Sequence, residues 1–149
     1  MKLVIASDHG GYILKDALVK HLRSKNVECE DLGVSSEDSV DYPDFAEDVA
    51  ARVSSGKADR GILVCGTGIG MAITANKFKG VRAAVVTDEY TARMSMEHND
   101  ANIIALGGRV LDEKTAIGMV DAWLDTQFAG GRHERRLKKI EQIEAKNFK

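Results

Sequence analysis

Proline occurs once in the 149 residues, at Pro43, and the chain carries no low-complexity segment and no internal repeat. Cysteine occurs twice, at Cys29 and Cys65. Two thiols so spaced supply neither a disulfide framework nor a metal-ligand motif, and in the reduced state they fit the cytoplasm. Charge of one sign is also missing: 21 Lys and Arg face 23 Asp and Glu, a net charge of −2, so no overall basic field invites nucleic acid. The basic residues nevertheless crowd toward the C-terminus. No apolar run is long enough to span a membrane, and Lys2 is followed by only a short one before Asp8 and His9, unlike a signal peptide. What remains is the expectation of one cytoplasmic globular domain, residues 1–149, with a single core.

What is present is organised around one stretch. Ile62 to Val64 is an unbroken apolar run, the pattern of a strand buried on both faces. It breaks into Cys65-Gly66-Thr67-Gly68-Ile69-Gly70 and resumes as a helical segment, Met71 to Lys77. A strand, a glycine loop and a helix in that order turn backbone N–H groups outward, which attracts anions. The alternate glycines let backbone approach a ligand closely. A dinucleotide fingerprint would need its third glycine one residue later, although Asp88 stands where a ribose-binding acid would. A Walker A loop would end in Gly-Lys-Ser/Thr, and here Gly70 is followed by Met71. A thiol phosphatase would close the loop with an arginine to clamp phosphate. The thiol itself is either a reactive group or a small core residue that ends a strand.

Along the rest of the chain, strands and helices alternate. Lys2 to Ser7 reads as a strand that ends in Asp8-His9-Gly10-Gly11, at the carboxyl edge where α/β folds place ligands. Asp8 either faces a ligand or caps the next helix, and His9 is exposed by position. Gly11 to Lys25 is an amphipathic helix with His21 expected at the surface. Val27 to Leu32 is a strand, and its Cys29 is expected in the core. A polar, acidic loop from Gly33 leads to Tyr42-Pro43, where the proline opens a helix ending at Ser54. Tyr42 either stacks over a substrate or packs. Val81 to Thr87 and Ile103 to Leu106 read as strands. Asp88 and Asp112 cap helices running to about His98 and Phe128. Gly130-Gly131 breaks the last of these, and Arg132 opens a final helix reaching about Asn147. The alternation predicts a three-layer α/β/α, Rossmann-like domain with a parallel sheet of about five strands. If strand one lies beside strand three, a switch-point crevice brings Asp8 and His9 next to the Cys65 loop.

Such a crevice holds a thiol, a carboxylate, a hydroxyl, a ring of N–H groups and distant arginines. A thiolate can attack a carbonyl as a nucleophile or take a proton beside one. In the second case the loop N–H groups would hold an enediolate oxygen, with arginines on an anionic handle such as phosphate. Three classes stay open on the residues alone: an isomerase, a thiol hydrolase and a non-catalytic phosphosugar-binding module.

The motifs taken together narrow this. Ser7-Asp8-His9-Gly10-Gly11, Cys65 to Gly70, Ala75-Asn76-Lys77, Glu97 to Asn102, and Gly130 to Arg136 resemble, in that order, the type B ribose-5-phosphate isomerases. That family also holds allose- and galactose-phosphate isomerases, so a hexose 6-phosphate is the alternative substrate. The resemblance implies a homodimer with shared active sites, with room for a dimer of dimers, its C-terminal helix from about 132 at the dimer contact, and no metal or other cofactor. It implies that Cys65 is the base that forms a cis-enediolate, with Gly66, Gly68, Ile69 and Gly70 in the anion hole and Thr67 handling a hydroxyl proton. His98, assisted by Asp8, would open the sugar ring. Tyr42 and Asn99 would orient hydroxyls, and His9, Arg109, Arg132 and Arg136 would hold phosphate. His98, Asn99 and Arg109 are expected from the second subunit. Some relatives place a glutamate in the loop helix; Met71 stands there, which sets this chain among the cysteine users. His133 receives no role.

Overall fold

Alternation along the strands decides how the layers form. The computed structural model describes residues 1–148. Five parallel strands, β1 Leu3–Ser7, β2 Cys29–Asp31, β3 Arg60–Cys65, β4 Ala83–Val85 and β5 Ile103–Gly107, lie in the order β2-β1-β3-β5-β4. The helices are α1 Tyr12–Ser24, α2 Tyr42–Ser54, α3 Ile69–Ala75, α4 Glu89–Glu97, α5 Glu113–Asp125 and α6 Arg132–Asn147. Because successive strand side chains point to opposite faces, Leu3, Ile5, Ile62, Val64, Ile104 and Leu106 pack on α1, α4 and α5. Val4, Ala6, Leu63, Ile103 and Ala105 pack on α2 and α3. Both faces of the central strands are thus apolar, which is why they read as continuous hydrophobic runs. Truncating a fully buried residue such as Leu18 or Ile62 to alanine costs about 2–5 kcal/mol.

The predicted three-layer arrangement is therefore found, and β1 does lie beside β3. The chain leaves β1 for α1 on one face and β3 for α3 on the other, so a crevice opens between their carboxyl ends. Asp88 and Asp112 are caps as expected: their carboxylates accept the Thr91 and Thr115 N–H groups at 2.7 Å. Those bonds hold both carboxyls below the usual range.

Edge strands are shorter than the sequence suggests. Val27 to Leu32 contracts to Cys29–Asp31 and Val81 to Thr87 to Ala83–Val85, since an edge strand has a ladder on one side only. At β4 the Asn76 carboxamide substitutes for a neighbour: its Oδ1 accepts from Ala83 N and its Nδ2 donates to Ala83 O, both at 2.9 Å. That occupies part of an edge otherwise open to pairing. The helix read up to Phe128 stops at Asp125. His21, expected at the surface, is half-buried, and its Nε2 meets both Asp121 carboxylate oxygens at 2.9 and 3.0 Å, linking α1 to α5.

Candidate active site

Strand β3 carries Cys65 to the carboxyl edge of the sheet, where its thiol faces the α2–α3 side and is 5% exposed. The chain must then turn at once. Gly68 does so in the left-handed region, φ +83°, and a Cβ there would stand 3.1 Å from the backbone of Ala105 and Leu106. Only glycine fits both demands. The turn aims the Gly68 N–H at Cys65 Sγ, 3.1 Å away, and the Ile69 N–H at Thr67 Oγ1, 3.2 Å away. The sulfur thereby accepts from a backbone donor. The loop is pinned from behind by Gly108 N–H to Cys65 O at 2.7 Å and Arg109 N–H to Gly66 O at 3.0 Å.

Across the crevice, Asp8 N donates to Val64 O at 3.2 Å. The Asp8 carboxylate, 8% exposed, accepts the Gly11 N–H at 3.1 Å. Asp8 is thus an N-cap, for the single 3-10 turn His9–Gly11, and at the same time a carboxylate beside the thiol loop. Gly11 must be glycine here, because a Cβ would lie 2.5 Å from Val64 O. His9 Nδ1 accepts the Val40 N–H at 3.2 Å, which puts a neutral ring's proton on Nε2. Tyr42, at the start of α2, lays its ring on Gly70, where a Cβ would come within 2.5 Å of it. The guanidinium of Arg109 lies against Gly10 and Gly66, 3.4 Å from a Cβ built on either.

A second group forms at the other end of the sheet. All strands are parallel and α4 runs back from β4 to the start of β5, so its C-terminus lies at the amino edge. His98 caps that end, and Asn99 follows it, exposed. Cys65 is in register with Gly107, the last residue of β5, so one chain separates Cys65 and His98 by at least the strand's length, about 13 Å. The start of α6 is brought to His98 by Ala129 N–H donating to Glu97 O at 3.0 Å. The rings of His98 and His133 stack, centroids 4.1 Å apart and planes 10° from parallel. Arg132 and Arg136 are near enough to act on His133 electrostatically.

The structure therefore sorts the predicted residues into two groups. Asp8, His9, Tyr42, the Cys65–Gly70 loop and Arg109 share the carboxyl edge. His98, Asn99, Arg132 and Arg136 share the amino edge. Arg109, expected to come from a second subunit, lies beside its own chain's thiol loop, because it directly follows β5 and bonds back to Gly66. The rest of the Glu97 to Asn102 motif is structural. Asn102 accepts from Arg82 N at 2.8 Å and donates to Gly80 O at 2.8 Å, and the Asp100 carboxylate is 3.4 Å from the Arg82 guanidinium.

Two residues escaped the sequence reading. Val40 reaches His9 from a loop that looked merely polar. Lys15 is buried, its Nζ 2.8 and 2.9 Å from the Asp31 carboxylate and 2.6 Å from Val34 O, and it moors the start of that loop. The signal was available, since Lys15 lies three, four and seven residues before Leu18, Val19 and Leu22, on the buried stripe. Among the described residues no group of three His, Cys, Asp or Glu side chains is placed to hold a metal ion. No described helix is long and apolar enough to cross a membrane.

A doubly wound parallel sheet with a thiol-bearing glycine loop at its switch point defines an α/β protein built to hold a small anionic ligand. The model of the Ribose/Galactose Isomerase family matches residues 3–140, and the chain belongs to that family. It is 47% identical over 143 residues to ribose-5-phosphate isomerase B of Escherichia coli, covering 96% of each chain. It is similar to the ribose-5-phosphate isomerase B structure of Clostridium thermocellum, with a TM-score of 0.96 and 54% identity, over 98% of this chain and 99% of that one. The Mycoplasma genitalium enzyme, solved with ribulose 5-phosphate bound, matches with a TM-score of 0.94 and 42% identity, over 98% and 97% of the two chains.

Proposed function

We propose that the chain is an aldose–ketose isomerase interconverting ribose 5-phosphate and ribulose 5-phosphate, and that two copies share each active site. The observation that carries this reading is the Cys65 thiol under the Gly68 N–H at the β1/β3 crevice, in a chain of this family. In the open-chain aldose, Cys65 takes the proton from C2. The electrons form the C1–C2 double bond, and the developing O1 charge is held by the loop N–H groups. The same proton returns to C1, and the O2 hydroxyl proton passes to O1 with Thr67 as relay, leaving the ketone at C2. Atoms and charge balance with no external oxidant.

His98, aided by Asp8, opens the furanose before this step. Tyr42 and Asn99 orient hydroxyls, and His9, Arg109, Arg132 and Arg136 hold the phosphate. Since His98 and Cys65 of one chain stand at opposite sheet ends, the pair is completed by a second copy. The exposed Ile69 and Ile73 on α3 and Ile140 and Ile143 on α6 are apolar surface that such a contact would cover. The test is formation of ribulose 5-phosphate from ribose 5-phosphate in the presence of EDTA, run beside allose and galactose 6-phosphates. No turnover of the ribose ester by wild type would overturn the reading. Preference for a hexose ester would correct the substrate.

A further inference from the structure

His133, whose ring lies on His98 at the amino edge, has no part in the proposed reaction. Its position is nonetheless well specified. Gly130 and Gly131 adopt φ +70° and +59°, a double reversal that sets His133 on the first turn of α6, and the His133 N–H donates to Gly130 O at 3.1 Å. Across from it, His98 is held by its N–H to Met94 O at 2.9 Å. The two rings come from different helices and meet face to face. Resting on the proposed reading of His98 as the ring opener, we infer that His133 is a positioning residue: its ring is the flat support that fixes the plane of His98 for sugar ring opening.

Ring opening moves protons in a defined geometry. The C1 hydroxyl loses a proton, the bond from C1 to the ring oxygen breaks, and that oxygen gains a proton. An imidazole free to turn about χ2 offers its nitrogen at the needed angle only part of the time, and small misplacements of a catalytic group are costly. A parallel ring at 4.1 Å limits that freedom by covering one face of His98 and not its edge, where the nitrogens lie. The support works best uncharged, because two stacked imidazolium rings repel. The groups facing His133 favour this: desolvation lowers its pKa, His98 on α4 and Arg132 and Arg136 on α6 lower it further, and only Glu97 opposes.

The reaction supplies its own control. In ribulose 5-phosphate the 5-hydroxyl is esterified, so no furanose can form, and exchange of its C1 proton with solvent through the enediolate involves no ring step. His133→Ala is expected to lower kcat about tenfold in both directions with KM little changed, as one shared equilibrium constant requires, and to slow exchange of the C1 proton of ribulose 5-phosphate with solvent deuterium less than about threefold. His133→Phe keeps a flat ring and should restore most of the loss. His133→Gln, which fills the space without one, should not, and it carries the comparison if the alanine variant folds poorly. Equal losses in turnover and in C1 exchange, a raised KM with unchanged kcat, or a Phe variant as slow as Gln would overturn the inference. Failure of the function reading looks different, because then wild type itself leaves ribose 5-phosphate unchanged.

Discussion

At the carboxyl edge of the sheet Cys65 and Asp8 are nearly enclosed and His9 is half-buried, and all three are held by backbone: Cys65 by Gly68 N–H, Asp8 by Gly11 N–H, His9 by Val40 N–H. At the amino edge the groups are carried on helix ends, the histidines half-buried and Arg132 and Arg136 exposed. The first edge is preorganised at the cost of obligatory glycines such as Gly11 and Gly68, which suits the proposed proton transfer from carbon. The second is a set of cationic and imidazole groups at least a strand's length from the thiol of its own chain. On the proposed reading the difference means that neither edge is a complete site, and that the two are brought together by a second copy of the chain.

The largest effect expected is at the enclosed edge. Cys65→Ala should reduce kcat by at least about 10²-fold with little change in KM, since the phosphate contacts lie elsewhere. Near-normal turnover would remove Cys65 from the mechanism. A covalent adduct trapped during turnover would turn the reading toward a hydrolase.

The next test asks whether the two edges meet. Cys65→Ala and His98→Ala chains, each inactive, are unfolded and refolded together. Random pairing makes about half the dimers mixed, and each mixed dimer has one intact site, so activity should return to roughly a quarter of wild type. No recovery in a demonstrably mixed population would place the whole site within one chain.

Smaller effects separate the cations. Arg109→Ala removes a guanidinium from the thiol edge and Arg136→Ala one from the histidine edge. Each charge-assisted contact to phosphate is worth enough to raise KM about tenfold when lost, with kcat less affected. If only one of the two raises KM, phosphate is held from that edge alone. Unphosphorylated ribose should be a poor substrate in either case.

How legible this comparison was in the sequence depends on which residues carried it. The parallel sheet was legible because Ile62 to Val64 and Ile103 to Leu106 are apolar on both faces, and because Asp88 and Asp112 are ordinary caps. The β1/β3 crevice followed from that order. The division into two edges was only half legible. Arg109 follows a strand and so belongs at the carboxyl edge, a placement that chain order alone implied but the family expectation overrode. Arg132 and His133 were read as a phosphate motif and an unknown, since no local pattern says that the Gly130-Gly131 reversal folds α6 back onto the end of α4. The burial of Lys15 was missed because residue type outweighed helical position.

The smallest effect is expected from the second thiol, and it serves as the control for the first. Cys29 begins β2 in register with Leu3, at the amino edge, as Cys65 ends β3 at the carboxyl edge. Burial pushes the Cys29 thiol from its ordinary 9.0 up to about 12, the Asp31 carboxylate and Glu30 adding to the rise while Arg23 and Lys15 oppose it. It therefore stays a thiol at any pH where the enzyme is assayed, and Cys29→Ala should leave kcat and KM unchanged. Its effect lies in stability alone. Because the folded pKa is the higher one, the folded chain keeps this proton after the unfolded chain has released it. The contribution is fully present below about pH 9 and is lost as pH rises toward 12. Urea unfolding across that window should show wild type losing stability more steeply than Cys29→Ala, by a difference that vanishes below pH 9. Parallel alkaline slopes would mean that Cys29 is not protected by its surroundings. A fall in kcat would mean that the amino-edge thiol, and not only the Cys65 loop, belongs to the chemistry.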